Sequence, residues 1–169
     1  AGVQSMAGWL WIYLLGYVPQ TLLLLYASLG LAGLRTSVAR LGVPAFTLSV
    51  ITLGLRVSLP PQWSAAAQLV ALILGMRFFR LASLLGAIAA SALGFILVAL
   101  ADLVVVAPLL YWLGLSPVEA SQNWLVYLLM GIVEGTLVYA AALAVWLKNL
   151  SVLPITRWEK VLAERREGQ

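Results

Sequence analysis

Three ionisable side chains interrupt otherwise apolar stretches of this chain: Arg56, Asp102 and Glu134. A guanidinium keeps its proton under ordinary conditions and offers a planar fork of donors, whereas an ionised carboxylate only accepts. In a lipid-like interior each charge costs roughly 2.5 to 3.5 kcal/mol on insertion scales, so such groups pair with one another or line a cavity. One Arg with two carboxylates predicts a polar ligand pocket in which Arg56 neutralises one acid and the other meets the ligand. The same residues also allow an ion pair that only sets helix register, or a proton relay. Thr47, Ser49, Thr52, Gln62, Gln68, Tyr127, Thr136 and Tyr139 are further hydrogen-bonding groups within reach of such a pocket.

Catalysis has little to work with. Cys and His are both absent, which removes thiol nucleophiles, imidazole bases and the usual zinc, haem and copper ligands. Paired carboxylates can do acid-base chemistry. No nucleophile motif, Gly-rich phosphate loop or metal-ligand spacing accompanies them here, so the expectation is a non-enzymatic protein without metal or cofactor.

The elements that must carry these residues follow from composition. Of the 169 residues, 63% are hydrophobic and 9% charged, and the mean hydropathy is +1.03. Soluble domains carry about 25% charged residues, so the predicted class is an all-α, polytopic membrane helical bundle. A span needs roughly 20 apolar residues, and the apolar runs predict five, over about 10–34, 41–59, 63–79, 81–107 and 124–147. Residues 1–9 would precede them, and 148–169 would form a charged amphipathic tail. Trp9, Trp11, Tyr13 and Tyr17 crowd the first span's start as interfacial aromatics do, and Trp124 and Trp146 bracket the fifth. Pro19 is expected to kink the first span, and Pro60-Pro61 to end the second. Pro108 and Gly114 place the fourth span's end near Ala107, leaving Tyr111 and Trp112 in the interface. Ser116-Pro117-Val118-Glu119 reads as a turn and helix start. Ala1–Gly8 lacks the positive charge of a cleavable signal peptide, and Met6 is one candidate native start.

Basic residues set the orientation. Arg35 and Arg40, Arg77 and Arg80, and the tail residues Lys148, Arg157, Lys160, Arg165 and Arg166 all fall on one side if the spans number five, while the Pro60–Trp63 and Gly114–Asn123 loops hold no Lys or Arg. Breaking any span in two would scatter them. The positive-inside rule then puts the C-terminus in the cytoplasm and the N-terminus outside, in the plasma membrane of a bacterium. Arg56, Asp102 and Glu134 would share the outer half or midplane. The net charge of +4 and pI near 9.8 are thereby explained without nucleic acid. Gly86, Ala90 and Gly94 recur every fourth residue, and Gly131 and Gly135 form a GxxxG. Both patterns predict close helix packing, within the chain or in a homodimer.

The order of features from Tyr17 to Ile155 resembles the membrane-embedded sensor region of Firmicutes sporulation- and quorum-sensing-type histidine kinases. The likeness rests on Val18-Pro-Gln-Thr-Leu-Leu-Leu-Leu, Arg56-Val-Ser-Leu-Pro, Ala101-Asp-Leu-Val-Val-Val-Ala-Pro-Leu-Leu and Leu113-Gly-Leu-Ser-Pro-Val-Glu-Ala-Ser-Gln-Asn-Trp. It implies a receptor-like module that takes a small-molecule signal and passes it to a protein partner through the cytoplasmic tail. No kinase domain follows in this chain, so the resemblance carries no phosphotransfer. Two other functions fit the same composition. One is a substrate-capture subunit of an energy-coupling-factor vitamin transporter, although those usually have six spans. The other is a non-catalytic subunit organising a larger complex, as the rod-shape membrane proteins do.

Overall fold

The computed structural model describes residues 12–116, 119, 124–153, 155–158 and 160. The expectations for residues 1–9, for Trp9 and Trp11 and for the end of the tail lie outside these residues, as do the side chains of Gln62, Trp124 and Tyr127. Every regular element described is helical. A π-helical turn, Ile12–Tyr17, leads into α1 (Val18–Leu31); α2 (Val38–Ser58) and α3 (Pro61–Phe78) follow. Next come α4 (Leu84–Ala101), a second π segment (Asp102–Val106) and α5 (Ala107–Leu113), which form one long run. The last run is α6 (Trp124–Glu134) and α7 (Thr136–Lys148).

Three runs are long and apolar enough to cross a bilayer: Tyr13–Leu31, Val38–Arg56 and Leu84–Leu113. The bent pair Leu128–Glu134 and Thr136–Lys148 makes a fourth if taken as one span, and Trp63–Phe78 is apolar but shorter. The outer surface suits lipid. Val43, Leu103, Phe78 and Trp146 are among many large apolar side chains left exposed, which an all-aqueous surface would not tolerate as contiguous patches.

Helix α1 is the centre of the bundle and packs against α2, α4 and α7. Every residue from Ala27 to Leu31 is buried, so this segment has neighbours on all sides. Small residues make the approach possible. A Cβ on Gly30 would run into the Val145 side chain of α7, and one on Gly94 would meet Leu24 at 3.3 Å. Gly86 lies against Leu34 at the end of α1, and Ala90 is fully buried. The Gly86–Ala90–Gly94 face is thus used inside the chain. A Cβ on Gly131 would meet no atom within 4 Å, and one on Gly135 would meet the ring of Tyr139 in the next turn.

Proline explains where the helices become irregular. A proline ring clashes with the carbonyl four residues earlier and supplies no N–H. Pro19 and Pro108 each follow a π segment by two residues; widening the upstream turn relieves that clash while the helix continues. The helix therefore continues past Ala107, the expected end of the fourth span, reaches Leu113 and ends at Gly114, whose φ is +64°. Tyr111 and Trp112, 88% and 85% exposed, flank that end. The second run also starts earlier than expected, at Val38 rather than near Leu41. Gly33, Arg80 and Gly114 close their helices with the same pair of bonds, one 6→1 and one 5→2, as in Leu34 N–H to the Leu29 carbonyl and Gly33 N–H to that of Gly30.

After Gly114 the chain turns. Glu119 N–H donates to Ser116 Oγ at 3.2 Å, and Ser116 N–H donates back to Glu119 Oε2 at 2.7 Å, the reciprocal pattern of a capping box.

Two outcomes are expected from this packing. Gly30→Ala destabilises the detergent-solubilised protein by about 1 to 3 kcal/mol in thermal unfolding, because overpacking is costly, and adding Val145→Ala restores most of it. The backbone and hydroxyl bonds from Ser116 hold the Glu119 carboxyl below the usual carboxylate range. Their stabilisation is present above that range and is lost as pH falls through the lowered value. Ser116→Ala moves the Glu119 midpoint upward in a carboxyl NMR titration.

Candidate functional site

Five helical runs bring their polar residues to one cavity of about 210 Å³. Tyr17, Gln20, Thr21 and Leu24 line it from the first run, Thr52 and Arg56 from α2, Gln68 from α3, Asp102 from the second π segment and Glu134 from the end of α6. Arg56, Asp102 and Glu134 are separated by 46 and 32 residues of sequence, yet they share this space. The cavity lies at the end of the bundle opposite Arg35 and Asn149, which are themselves joined by a 2.9 Å hydrogen bond.

Arg56 is the hub. Its Nη2 lies 3.9 Å from Glu134 Oε1. Its Nη1 donates to Tyr17 Oη at 3.2 Å, and its guanidinium carbon sits 5.4 Å from the centre of the Tyr17 ring, within cation–π range. Glu134 is the deeper partner, with its side chain 15% exposed against 37% for Arg56. The Gln20 amide is in hydrogen-bonding reach of Glu134, and Asp102 feels the same guanidinium across the cavity. Below them Tyr17 packs on Leu128, with Tyr13 and Leu53 around the pair. The walls are mixed. Leu72, Phe95 and Val98 complete an apolar side facing the charged one, the usual composition of a small-molecule site.

Local structure aims these groups. Asp102 opens a π segment, Tyr17 closes one, and Glu134 is the last residue before the chain bends by 41°. Arg56 is two residues from the end of α2, where its long stem can lean back over the first run. At the bend the expected fifth span divides into two helices. Gly135 is its weakest helix former, Thr136 Oγ1 donates to the Val133 carbonyl at 2.6 Å, and such side-chain bonds bend helices.

Several residues the sequence nominated are engaged elsewhere. Thr47 donates to the Val43 carbonyl in its own helix, and Ser49 to Tyr13 Oη and the Phe46 carbonyl. Tyr139 lines a separate groove on the α1–α7 side. Conversely, Tyr17 is no interfacial ornament: at 7% exposure it is part of the site. Gln20 and Thr21 belong to the site as well. Their signal was legible, since Tyr17, Gln20, Thr21 and Leu24 fall at i, i+3, i+4 and i+7 and so share one helix face.

No protein-family model, curated protein or solved structure matches this chain.

Tyr17 separates the two contributions to holding Arg56. Tyr17→Phe keeps the ring and loses one hydrogen bond to a charged donor, a cost of about 1.5 to 3 kcal/mol or less where water substitutes. Tyr17→Leu also loses the cation–π contact and unfolds at a lower temperature than Tyr17→Phe. Equal melting temperatures for the two variants would show that the ring contact contributes nothing.

Proposed function

We propose that this chain is a receptor-like module of a bacterial plasma membrane, a binding protein rather than a catalyst, that takes a small amine in the Arg56–Asp102–Glu134 cavity. Convergence of one guanidinium and two carboxylates from separate runs on a single cavity carries the reading. With Glu134 drawn to Arg56, the site holds one carboxylate more than it holds cations, and Asp102 is the one left to meet an ammonium group. About 210 Å³ admits a ligand below drug size, for which pockets run from about 300 Å³. The apolar wall at Leu72, Phe95 and Val98 suits a short hydrocarbon chain on that amine.

The proposed topology has five spans, with the N-terminus outside and the C-terminus in the cytoplasm. Support comes from the basic residues of the turns and tail, and from the Arg35–Asn149 hydrogen bond joining the first turn to the end of α7. The cavity then opens outward. Signal passage would use the last run: Glu134 abuts the bend, and the 13 residues of α7, about 20 Å at 1.5 Å per residue, lead to the tail. This is the role implied by the likeness to kinase sensor regions, with a cytoplasmic protein partner reading the tail.

The test is thermal unfolding of the detergent-solubilised protein against short-chain amines and size-matched carboxylic acids. Amines are expected to raise the melting temperature, by about 2.7 kcal/mol of stabilisation at a hundredfold excess over Kd, and Asp102→Asn to abolish the effect. Stabilisation by the acids alone, or by amines equally in Asp102→Asn, would sink the assignment. Labelling that finds both chain ends on one face of the membrane would remove the topology.

A further inference from the structure

A larger cavity than the one at Arg56 is formed elsewhere in the bundle. It lies at the opposite end, measures about 540 Å³ and is lined by two guanidinium-bearing residues, Arg35 and Arg157, with Thr36, Ser151 and Thr156 beside them. Among the described residues, no Asp or Glu contributes to its lining. Its frame is fixed by backbone bonds. The Leu31 carbonyl at the end of α1 accepts from Val152 N–H at 2.7 Å and Leu153 N–H at 2.9 Å, and the Ala32 carbonyl accepts from Ile155 N–H at 3.3 Å. Ile155 is buried in the core beside Leu29, Ala32 and Leu41, which pins the short helical stretch that carries Arg157. Asn149, in left-handed conformation with φ +50°, turns the chain out of α7 and binds Arg35 through Oδ1 at 2.9 Å.

A second, apolar groove of about 310 Å³ adjoins it, bounded by Leu23, Tyr26, Val38, Ala142, Leu143 and Trp146. Tyr26 lines both spaces, and Val145 of the basic cavity neighbours Trp146 of the groove in sequence. The groove extends along α7 from Trp146 back to Tyr139, seven residues or roughly 10 Å of helix. A cationic, hydroxyl-rich cup at a helix end thus continues into an apolar channel running along the bundle. That juxtaposition has the shape and polarity of one kind of molecule.

We propose that Arg35 and Arg157 hold the phosphate of an anionic phospholipid whose acyl chain lies in the groove between α1 and α7. Two guanidiniums match a phosphate diester by charge and by paired donors. The hydroxyls of Thr36, Ser151 and Thr156 suit the glycerol or headgroup oxygens. A soluble phosphate compound would fill the cup and leave the channel bare, so the channel decides for lipid. The site is separate from the Arg56 cavity and does not depend on the amine reading. Only the leaflet rests on the proposed topology, which makes it the cytoplasmic one, where anionic lipids and juxtamembrane basic residues meet.

The experiment is native mass spectrometry of the full chain released from micelles doped with phosphatidylglycerol or phosphatidylcholine of identical acyl chains. Retention of phosphatidylglycerol over phosphatidylcholine by about tenfold is expected, falling to near parity in Arg35→Gln/Arg157→Gln. Arg40→Gln/Arg80→Gln removes the same charge from exposed positions outside the cup and is expected to keep the preference. Arg157→Gln alone, which spares the Arg35–Asn149 bond, gives an intermediate ratio and guards against misfolding of the double variant. Leu143→Gln, at a half-exposed wall of the groove, weakens retention of both lipids. Equal loss in the two double variants would reduce the effect to general surface charge and overturn the site. Competition by inorganic phosphate at constant ionic strength, with Leu143→Gln inert, would make it a phosphate site and overturn the lipid.

Discussion

Arg56 carries a charge that it cannot shed, in a chain whose residues are 63% hydrophobic. Everything near it answers to that constraint. The Glu134 carboxylate supplies the counter-charge at 3.9 Å, and the Tyr17 ring and hydroxyl take the face and one donor of the fork. None of these partners is near Arg56 in sequence, so they meet only if the first run, α2 and α6 are all correctly placed. The ion pair therefore reports on register for a large part of the bundle. At 3.9 Å, and with the Arg side chain over a third exposed, it is a loose pair. Its worth in stability is small, and its value lies in what it leaves open.

What it leaves open is created by departures from helical regularity. A straight α-helix would present Tyr17 and Asp102 at positions dictated by 3.6 residues per turn. The π segments before Pro19 and Pro108 add a residue to the turn and rotate the side chains about the axis, and both segments border the cavity. The bend after Glu134 does the same for the last run. Prolines that look like interruptions of spans are thus the local means by which polar groups are turned inward.

The sequence made the coarse architecture legible because apolar runs, helix-ending prolines and left-handed glycines are local signals. Helix α2 does end at Ser58, just before Pro60-Pro61. The three interior charges stood out for the same reason: a lone Arg or Asp in a run of Leu and Val has no local explanation. Tyr17, Gln20 and Thr21 were harder, because Tyr17 belonged to a cluster of aromatics that the interface already explained, and neutral polar residues in a span are cheap. Their shared face becomes meaningful only once α2 delivers Arg56 to it. The bend at Gly135 was hidden by a small-xxx-small pattern that reads first as packing. Gly131 instead faces open space, so spacing alone could not separate a contact glycine from a hinge glycine.

Helix α1 links the two cavities without itself having to move. Near its start it offers Tyr17, Gln20 and Thr21 to the charged cavity, and near its end Tyr26, Gly30 and Gly33 to the basic one. The last run touches both as well, through Glu134 above the bend and Val145 and Asn149 below it. Val145 rests where Gly30 lacks a side chain, so a change of angle at Gly135 must shift α7 against this close contact with α1. Any ligand that favours one bend angle at Glu134 would alter the walls shared by Tyr26, Val145 and Trp146. Linkage requires the converse: a lipid seated along α7 would bias the bend and with it the affinity of the distant cavity, by the same free energy.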